Sequence, residues 1–327
     1  MLSFGRRSWD TMMGKQVIID GATSFIGLSL ISELLKQDYD VIAVIRPCSA
    51  RGNLIRSLFN YEVKVVECEL SEIQSLPRIV KSRGISVSPE IFYHIGWSSD
   101  FDNPRFNRLG QKDNVGYALG AMNVSREMGC DKFISIGSQA ECGLVEKPIN
   151  SRTPDNPITA YAEAKCETYT RCCKLSDDLR MKFYWPRLLS AYGPYDRKKT
   201  LIMNCINSCI NHTHISLTSA EQIWDYVYVD DVAHALYCIA EKGIPKKKYS
   251  IASGTGRQLK EYIRIIADVF GYSNLMDGIG ERPYTDNEVM YLVGDITELR
   301  EDLGLEIKSD FHRRIEEMKN ERYKEFC

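Results

Sequence analysis

Short apolar runs alternate with amphipathic stretches along the first 185 residues of the chain. The runs at 16–20 and 41–45 are almost wholly apolar, which is typical of strands buried on both faces of a parallel sheet. Between them, Leu28, Ile31 and Leu34 fall on one face of a helix. Alternation at this spacing predicts an α/β fold with a doubly wound parallel sheet. Further strands are predicted at 63–67, 91–95, 132–136 and 181–185, and a helix at 114–128.

The pattern changes after about residue 186. Loops become longer, and the apolar stretches at 222–229 and 249–252 are separated by helices predicted to begin near Asp230, Gln258 and Thr297. This change predicts a smaller α/β C-terminal lobe, some of whose strands and helices return to the main sheet. We therefore divide the chain into a flexible tail at 1–13, a main domain at 14–185 and a second lobe at 186–327.

A glycine-bounded turn follows the first predicted strand and opens the first predicted helix. Gly21 and Gly27 bound the turn, with Ser24 between them. A turn without side chains lets the backbone approach a pyrophosphate at a helix N-terminus, where free amides and the helix dipole favour anions. The turn therefore predicts a Rossmann-type dinucleotide site formed by Gly21, Ser24, Phe25, Ile26 and Gly27. Because ligands of such sheets bind beyond the carboxyl ends of the strands, the predicted contacts also include Glu69, Leu70, Ile95, Gly96 and Leu188.

The end of the second predicted strand bears on the choice of cofactor. An acidic residue at this point takes the ribose 2′-hydroxyl of NAD, whereas an arginine accommodates the 2′-phosphate of NADP. Here Ile45 occupies the carboxylate position and Arg46 follows it, with Arg51 close by. The sequence therefore predicts NADP(H) over NAD(H), with Arg46 on the 2′-phosphate. The alternative is that Arg46 is only a solvated residue at a strand end.

A serine and a tyrosine-lysine pair form the chemical half of the predicted site. Tyr161 and Lys165 lie four residues apart in a helix-prone run, which places them on one helical face, and Ser138 follows the fifth predicted strand. An ammonium and an oxidised nicotinamide can together lower the pKa of a phenol from about 10 to about 7, which takes about 4 kcal/mol. Ser138 would hold the oxygen of a carbonyl or alcohol while Tyr161 gives or takes its proton. Tyr195 and Lys199 show the same spacing, so the glycine turn and the strand end are what distinguish the first pair.

Composition narrows the classes of partner. The formal net charge is -2 and the pI is about 6.3, so no global basic field predicts nucleic acid or a membrane as partner. No run approaches the roughly 18 apolar residues of a membrane span. Eleven cysteines without paired spacing or a signal peptide fit a reducing cytosol, so a cytoplasmic protein is expected. No metal is expected, because the cluster of Cys205, Cys209, His212 and His214 is better interpreted as core residues and a strand at 214–217.

Taken together, these motifs are similar to those of the extended short-chain dehydrogenase/reductase family, of the NAD-dependent epimerase/dehydratase type, and in particular its nucleotide-sugar epimerases, dehydratases and ketoreductases. The resemblance runs from Lys15 to about Glu317 and rests on residues 21–27, Ser138, Tyr161, Lys165, 187–194 and 224–231. It implies that Ser138 and Tyr161 are the catalytic hydroxyls, that Lys165 binds the nicotinamide ribose, and that Asn114 supports them. It also implies a homodimer and a nucleotide-sugar substrate between the lobes, which makes 186–327 mainly a substrate-binding lobe.

Departures from the family pattern narrow the reaction. Dehydratases of this family carry an Asp-Glu pair directly after the catalytic Ser or Thr, and here those positions are Gln139 and Ala140. Neither side chain is a general acid or base at neutral pH, so 4,6-dehydration is not expected. We predict an NADP(H)-dependent reductase of a nucleotide-linked 4-keto deoxysugar, with Tyr161 as proton donor. The alternatives are a 4-epimerase with tightly bound NAD, which shares every catalytic residue, and a non-catalytic NADP-binding regulatory protein.

Two further departures concern the substrate. The family often has an arginine where this chain has Trp224, and an asparagine where it has Ser190. Loss of the arginine would weaken one diphosphate contact, so Arg197 or Arg282 is expected to take its place. The alternative is that Trp224 only packs and that the substrate lacks a nucleotide. The remaining predicted substrate contacts are Trp97 and Gln139.

Overall fold

The structure is a computed structural model that describes residues 15–60, 62–286, 288–308 and 310–322. The tail expected at 1–13 lies outside the described residues. Within those ranges, no helix combines the length and the apolar character needed to span a membrane.

A parallel sheet forms the centre of the fold. The strands, numbered along the chain, are β1 (Gln16–Asp20), β2 (Asp40–Ile45), β3 (Lys64–Glu67), β4 (Pro89–His94), β5 (Lys132–Ser135), β6 (Gly137–Ser138), β7 (Lys182–Tyr184), β8 (Arg187–Leu188), β9 (Ser190–Tyr192), β10 (Ile223–Trp224), β11 (Tyr226–Tyr228), β12 (Ser250–Ile251), β13 (Arg257–Gln258) and β14 (Tyr291–Leu292). The central sheet has the order β3-β2-β1-β4-β5-β7, with all its pairs parallel. This order confirms the predicted doubly wound α/β fold, with the topological switch beside β1.

Helices cover both faces of this sheet. They are α1 (Phe25–Lys36), α2 (Gly52–Phe59), α3 (Leu76–Ser82), α4 (Arg108–Glu127), α5 (Ala160–Leu179), α6 (Leu201–Asn211), α7 (Val229–Lys242), α8 (Leu259–Phe270), α9 (Thr297–Leu303) and α10 (Phe311–Glu317). Val17 and Ile19 of β1 pack in one core with α1 and α7, whereas Ile18 packs in the other with α4 and α5. Burial on both faces explains why β1 is a continuous apolar run.

The C-terminal part contributes to two cores. Its helix α7 returns to the main sheet and packs against α1. A separate core is formed by α6, α8 and α10, around residues such as Ile206, Ile266 and Phe311. Elements after residue 186 therefore serve both layers, and the exact division into domains stays a prediction.

Helix α4 begins at Arg108 rather than at the predicted residue 114. Asn107 caps it, because its side chain accepts a hydrogen bond from the backbone N–H of Gly110 at 3.0 Å. The first turn contains Leu109, which is 79% exposed. This turn carries no buried apolar stripe, so the apolar periodicity of the sequence missed it.

The apolar stretch at 222–229 contains two short strands, β10 and β11, which are separated at Asp225. The Asp225 carboxylate is fully buried and accepts hydrogen bonds from the backbone N–H groups of Ser253 at 2.9 Å, Gly254 at 2.9 Å and Gly294 at 3.1 Å. These bonds compensate the cost of burying the carboxylate. The acid therefore joins two distant loops to the point between the two strands.

A buried ion pair lies behind β6. Glu141 and Arg187 are both fully buried, and Arg187 Nε is 3.2 Å from a Glu141 oxygen. Glu141 also accepts hydrogen bonds from the backbone N–H of Ser138 at 2.7 Å and from the indole N–H of Trp185 at 3.1 Å. Arg187 in turn pairs with Asp155. The pair thus joins β6, β8 and the loop that contains Asp155.

Replacing Arg187 by leucine is expected to destabilise the fold by about 3 to 5 kcal/mol, because it leaves Glu141 buried without its cation. The measurement is the free energy of unfolding in urea at neutral pH. The matched control is Arg171→Leu, since Arg171 pairs with Glu167 on the exposed surface of α5 and such pairs contribute about 0.5 kcal/mol. Equal effects of the two variants would contradict the role given to the buried pair.

Candidate active site

Three of the four predicted catalytic residues meet at the carboxyl edge of the sheet. Ser138 ends β6, and Tyr161 and Lys165 lie near the start of α5. Thr159 caps that helix, because its hydroxyl accepts a hydrogen bond from the backbone N–H of Ala162 at 3.2 Å. The fixed helix start holds Tyr161 within hydrogen-bonding reach of Ser138.

The surroundings of Tyr161 favour the neutral phenol over the phenolate. Burial raises its pKa, and hydrogen bonding with Ser138 and the charges of Arg105 and Arg197 lower the pKa only in part. The sequence prediction of a lowered pKa combined Lys165 with an oxidised nicotinamide, so it stays a prediction for the complex with the cofactor. In the structure the Lys165 ammonium lies 5.8 Å from the centroid of the phenol ring and donates its hydrogen bond to the carbonyl of Ile136.

The Lys165 ammonium has two close partners, and the side chain is only 5% exposed. Nζ donates to the backbone carbonyl of Ile136 at 2.8 Å, and the ring centroid of Trp97 lies 3.5 Å from Nζ. This second contact is a cation–π interaction. Burial lowers the pKa of Lys165 to about 7, against the attraction of Glu141 and Asp20. The ammonium therefore depends on a carbonyl and an indole for its stability.

Two side chains of α4 position Trp97. Its indole N–H donates to Gln111 Oε1 at 2.9 Å. Asn114 accepts a hydrogen bond from the backbone N–H of Ser98 at 2.8 Å and donates to the Ser98 carbonyl at 2.9 Å. Trp97 also meets the Tyr161 ring edge to face, with centroids 6.0 Å apart. Sequence reasoning missed Gln111, although its place one turn before Asn114 was an available signal.

Asp20, the last residue of β1, holds the glycine turn in place. Its carboxylate accepts hydrogen bonds from the backbone N–H groups of Ile95 at 2.8 Å and Gly96 at 2.7 Å. Gly21 has φ 61°, and a Cβ there would lie 2.6 Å from the backbone N of Gly96. Only glycine fits this close approach. Sequence reasoning missed Asp20. The signal that could have identified it is an acidic residue at the end of an otherwise apolar strand.

The start of α1 fits the pyrophosphate of a dinucleotide. Ser24 caps the helix by accepting a hydrogen bond from the backbone N–H of Gly27 at 3.0 Å, and the first turn, with Phe25 and Ile26, contains no acidic residue. The amides and dipole of a 12-residue helix therefore favour an anion at the carboxyl edge of the sheet. Of the other predicted contacts, Leu70 packs against Gly96, and Glu69 and Leu188 are half-buried.

Arg46 is paired with another side chain at the end of β2. Its guanidinium forms an ion pair with Asp100, in the segment after β4. Because β1 lies between β2 and β4, this pair crosses the sheet edge at the glycine turn. Nearby, Arg51 donates to the backbone carbonyl of Tyr195 at 2.9 Å. Both arginines are thus anchored close to the predicted adenosine end of the cofactor.

Besides Trp97, three of the predicted substrate residues have defined polar partners. The indole N–H of Trp224 donates to Ser190 Oγ at 2.7 Å, so the two departures from the family pattern bond to each other. Gln139 Oε1 accepts a hydrogen bond from Ser138 Oγ at 2.6 Å. The neutral amide of Gln139 is therefore in direct contact with the hydroxyl of the predicted catalytic serine.

The two predicted substrate arginines lie in different surroundings. Arg197 is close enough to Tyr161 for its charge to lower the pKa of the phenol. Arg282 is exposed, and its backbone N–H donates to the carbonyl of Leu217 at 3.0 Å. Arg105, which sequence reasoning missed, accepts a hydrogen bond at its carbonyl from the Tyr161 backbone N–H at 3.1 Å. The geometry thus favours Arg197 over Arg282 for a role beside Tyr161.

The residues considered as metal ligands have other contacts. Cys205 and Cys209 are buried in the core of α6, α8 and α10. His214 pairs with Glu281, with 2.7 Å between nitrogen and oxygen. The strand predicted at 214–217 is wrong, because only an isolated bridge to a loop forms there.

Comparison with known proteins identifies the family. The profile described as "NAD dependent epimerase/dehydratase family" matches residues 17–252. A CDP-abequose synthase from Salmonella typhimurium is 25% identical over 316 residues, which cover 94% of this chain and 98% of that protein. A dTDP-glucose 4,6-dehydratase from Escherichia coli is 29% identical, with 88% of each chain covered. The solved structure of a UDP-glucose 4-epimerase with UDP-glucose, from Thermotoga maritima, matches with a TM-score of 0.80 at 22% identity, covering 92% of this chain and 96% of that one.

The names of these proteins state different reactions, so similarity alone does not select one. The family profile nevertheless spans the glycine turn, Ser138, Tyr161 and Lys165. The chain therefore belongs to the NAD dependent epimerase/dehydratase family and is an enzyme of the extended short-chain dehydrogenase/reductase type.

Proposed function

We propose that this enzyme is an NADP(H)-dependent reductase of a nucleotide-linked 4-keto deoxysugar. The observation that carries the proposal is the placement of Tyr161 within hydrogen-bonding reach of Ser138, whose other neighbour is the neutral amide of Gln139. Two hydroxyls in this arrangement can hold a carbonyl oxygen and give it a proton. A protonated phenol is the form that a reductase needs at the start of the reaction.

Reduction of a ketone adds a hydride to carbon and a proton to oxygen. A reduced nicotinamide supplies the hydride when it is bound. Tyr161 donates the proton, and Ser138 turns its hydroxyl from Gln139 to the carbonyl oxygen. Lys165 binds the ribose and stabilises the phenolate that Tyr161 leaves. Lys165 lies one turn from Tyr161 on the same helix, and its ammonium is 5.8 Å from the centroid of the phenol ring, so the phenolate would form near a positive charge.

Although a dehydratase is among the similar proteins, we do not propose dehydration as the reaction of this enzyme. Elimination of water needs a general acid and a general base near the sugar. The two positions after Ser138 hold Gln139 and Ala140, neither of which titrates. The hydrogen bond from Ser138 to Gln139 also shows that the amide takes up the space beside the serine.

A nucleotide-linked substrate is supported by the names of the relatives, which refer to CDP-, dTDP- and UDP-linked sugars. Arg197 supplies positive charge beside Tyr161, and a guanidinium is well suited to a diphosphate. The pair formed by Trp224 and Ser190 replaces the arginine and asparagine that the family often has there. We therefore place the diphosphate contact on Arg197.

A 4-epimerase is the second candidate, because it would use the same Ser138, Tyr161 and Lys165 and because a solved epimerase shares the fold. The two reactions differ in what happens to the cofactor. A reductase consumes and releases it, whereas an epimerase regenerates it in place. Arg46 favours the reductase, because an arginine at the end of β2 suits the 2′-phosphate of NADPH. NADPH is the cofactor that a net reductase consumes.

The variant Tyr161→Phe is expected to lower kcat for NADPH-dependent reduction about 100-fold or more, because the proton donor is lost. Affinity for NADPH should stay unchanged. The measurement is NADPH oxidation with a panel of CDP-, dTDP- and UDP-linked 4-keto-6-deoxyhexoses. Tyr237→Phe, on the remote helix α7, is the control and should keep normal turnover. Normal turnover of Tyr161→Phe would contradict the assignment.

Freshly purified enzyme is expected to exchange its cofactor and to bind NADPH more tightly than NADH. Mass spectrometry after denaturation measures the cofactor that is carried through purification, and titration measures both affinities. Protein loaded with NAD that does not exchange, together with interconversion of sugars without net change in cofactor absorbance, would favour the epimerase instead.

A further inference from the structure

One segment of the chain contacts both cations that the proposed function assigns to the cofactor. This post-β4 segment comprises residues 97–107. Its Trp97 covers the Lys165 ammonium, with the ring centroid 3.5 Å from Nζ, and its Asp100 forms an ion pair with Arg46. Arg46 follows β2, and Lys165 bonds to the residue after β5, so the two contacts lie on opposite sides of the glycine turn. The post-β4 segment therefore spans the groove in which the cofactor would lie.

Each contact resembles the cofactor group that would need the same cation. A carboxylate on a guanidinium occupies the place of a phosphate, because both are oxyanions that can accept two parallel hydrogen bonds from the same N–H groups. The indole of Trp97 stabilises the ammonium and covers one side of it, with the ring centroid 3.5 Å from Nζ. A ribose hydroxyl that approached Nζ from that side would have to displace the indole.

The post-β4 segment is anchored at its base and open at its tip. Asn114 bonds the backbone of Ser98 at 2.8 and 2.9 Å, and Gln111 donates to the carbonyl of Pro104 at 2.7 Å. Asp100, in contrast, is 64% exposed at its side chain, and its partner Arg46 is 56% exposed. The ion pair can therefore open without disturbing the anchors.

We propose that the post-β4 segment is an internal competitor of the cofactor, in which Asp100 occupies Arg46 in place of the 2′-phosphate and Trp97 occupies Lys165 in place of the nicotinamide ribose. This inference rests on the proposed function for its assignment of Arg46 and Lys165. Cofactor binding then exchanges one partner for another at both cations. Asp100 becomes a residue that sets cofactor specificity, because it weakens binding only of ligands with a 2′-phosphate.

The variant Asp100→Asn tests the adenosine end. It should bind adenosine 2′,5′-bisphosphate and NADP⁺ about two- to fivefold more tightly, which is the range expected for removal of an exposed ion pair. Affinity for 5′-AMP and NAD⁺ should not change. Isothermal titration calorimetry at fixed, low ionic strength measures all four ligands, since salt screens such pairs.

Two controls separate the ion pair from general electrostatics. Asp102→Asn removes the same charge from the same segment, and the Asp102 carboxylate makes no ion pair with any residue that the structure describes. It should have a smaller effect than Asp100→Asn. In an Arg46→Gln background the effect of Asp100→Asn should vanish. Equal effects of the two aspartate variants, or an effect that persists without Arg46, would overturn the competition at this end.

The variant Trp97→Leu tests the nicotinamide end by the sign of its effect. NADP⁺ should bind at least about twofold more tightly, because no cation–π contact needs to be broken. Adenosine 2′,5′-bisphosphate lacks the nicotinamide half, so its unchanged affinity shows that the variant is folded. If Trp97→Leu no longer binds adenosine 2′,5′-bisphosphate, the variant Trp97→Phe is used in its place. Its affinity for NADP⁺ should rise by less than that expected for Trp97→Leu. Weaker binding of NADP⁺ would mean that the indole belongs to the nicotinamide pocket and would overturn the proposal.

Failure of this inference and failure of the proposed function give different results. If Asp100→Asn and Trp97→Leu leave affinities unchanged while Tyr161→Phe abolishes reduction, the competition is wrong and the reductase stands. If the unaltered enzyme binds NAD⁺ but neither NADP⁺ nor the bisphosphate, the assignment of Arg46 fails, and the competition at Arg46 fails with it.

Discussion

The buried pair of Glu141 and Arg187 is the constraint on which the active site depends. Burying two charges is costly unless their hydrogen-bonding groups are satisfied. Here the carboxylate accepts from Ser138, Trp185 and Arg187, and the guanidinium also pairs with Asp155. The amide of Ser138 is one of those donors, so the position of the reactive hydroxyl is coupled to the pair. A change that relieved the pair would move Ser138 as well as lower stability.

The charge state of the reactive groups follows from burial with few counter-charges. Lys165 lies inside the protein with a carbonyl and an indole as its nearest partners, and Tyr161 has a raised pKa. Both side chains can therefore form further hydrogen bonds with a ligand that carries hydroxyl groups or charge. A neutral Tyr161 phenol can give a proton to a carbonyl oxygen, which is the role that the proposed reduction assigns to it.

Local sequence patterns predicted the central sheet, the glycine turn and the grouping of Ser138, Tyr161 and Lys165. They succeeded because apolar periods and turn residues act over a few neighbouring positions. The features that were missed join side chains far apart in the chain. Glu141 meets Arg187 across 46 residues, and Arg46 meets Asp100 across 54. Such pairs leave no spacing rule in the sequence, because the fold alone decides which distant charges meet.

A chain of net charge -2 that binds anionic ligands must supply its positive charge locally. An unpaired cation in a groove would attract any phosphate, whereas a cation that already has an internal partner binds a new ligand by exchange. In an exchange, the energy lost with the old contact offsets part of the energy gained with the new one. In the proposed competition, affinity is set by the difference between Asp100 and a phosphate on Arg46, and between an indole and a ribose on Lys165. Moderate affinity of this kind would let a cofactor leave after each turnover, as the proposed net reduction requires and epimerisation does not.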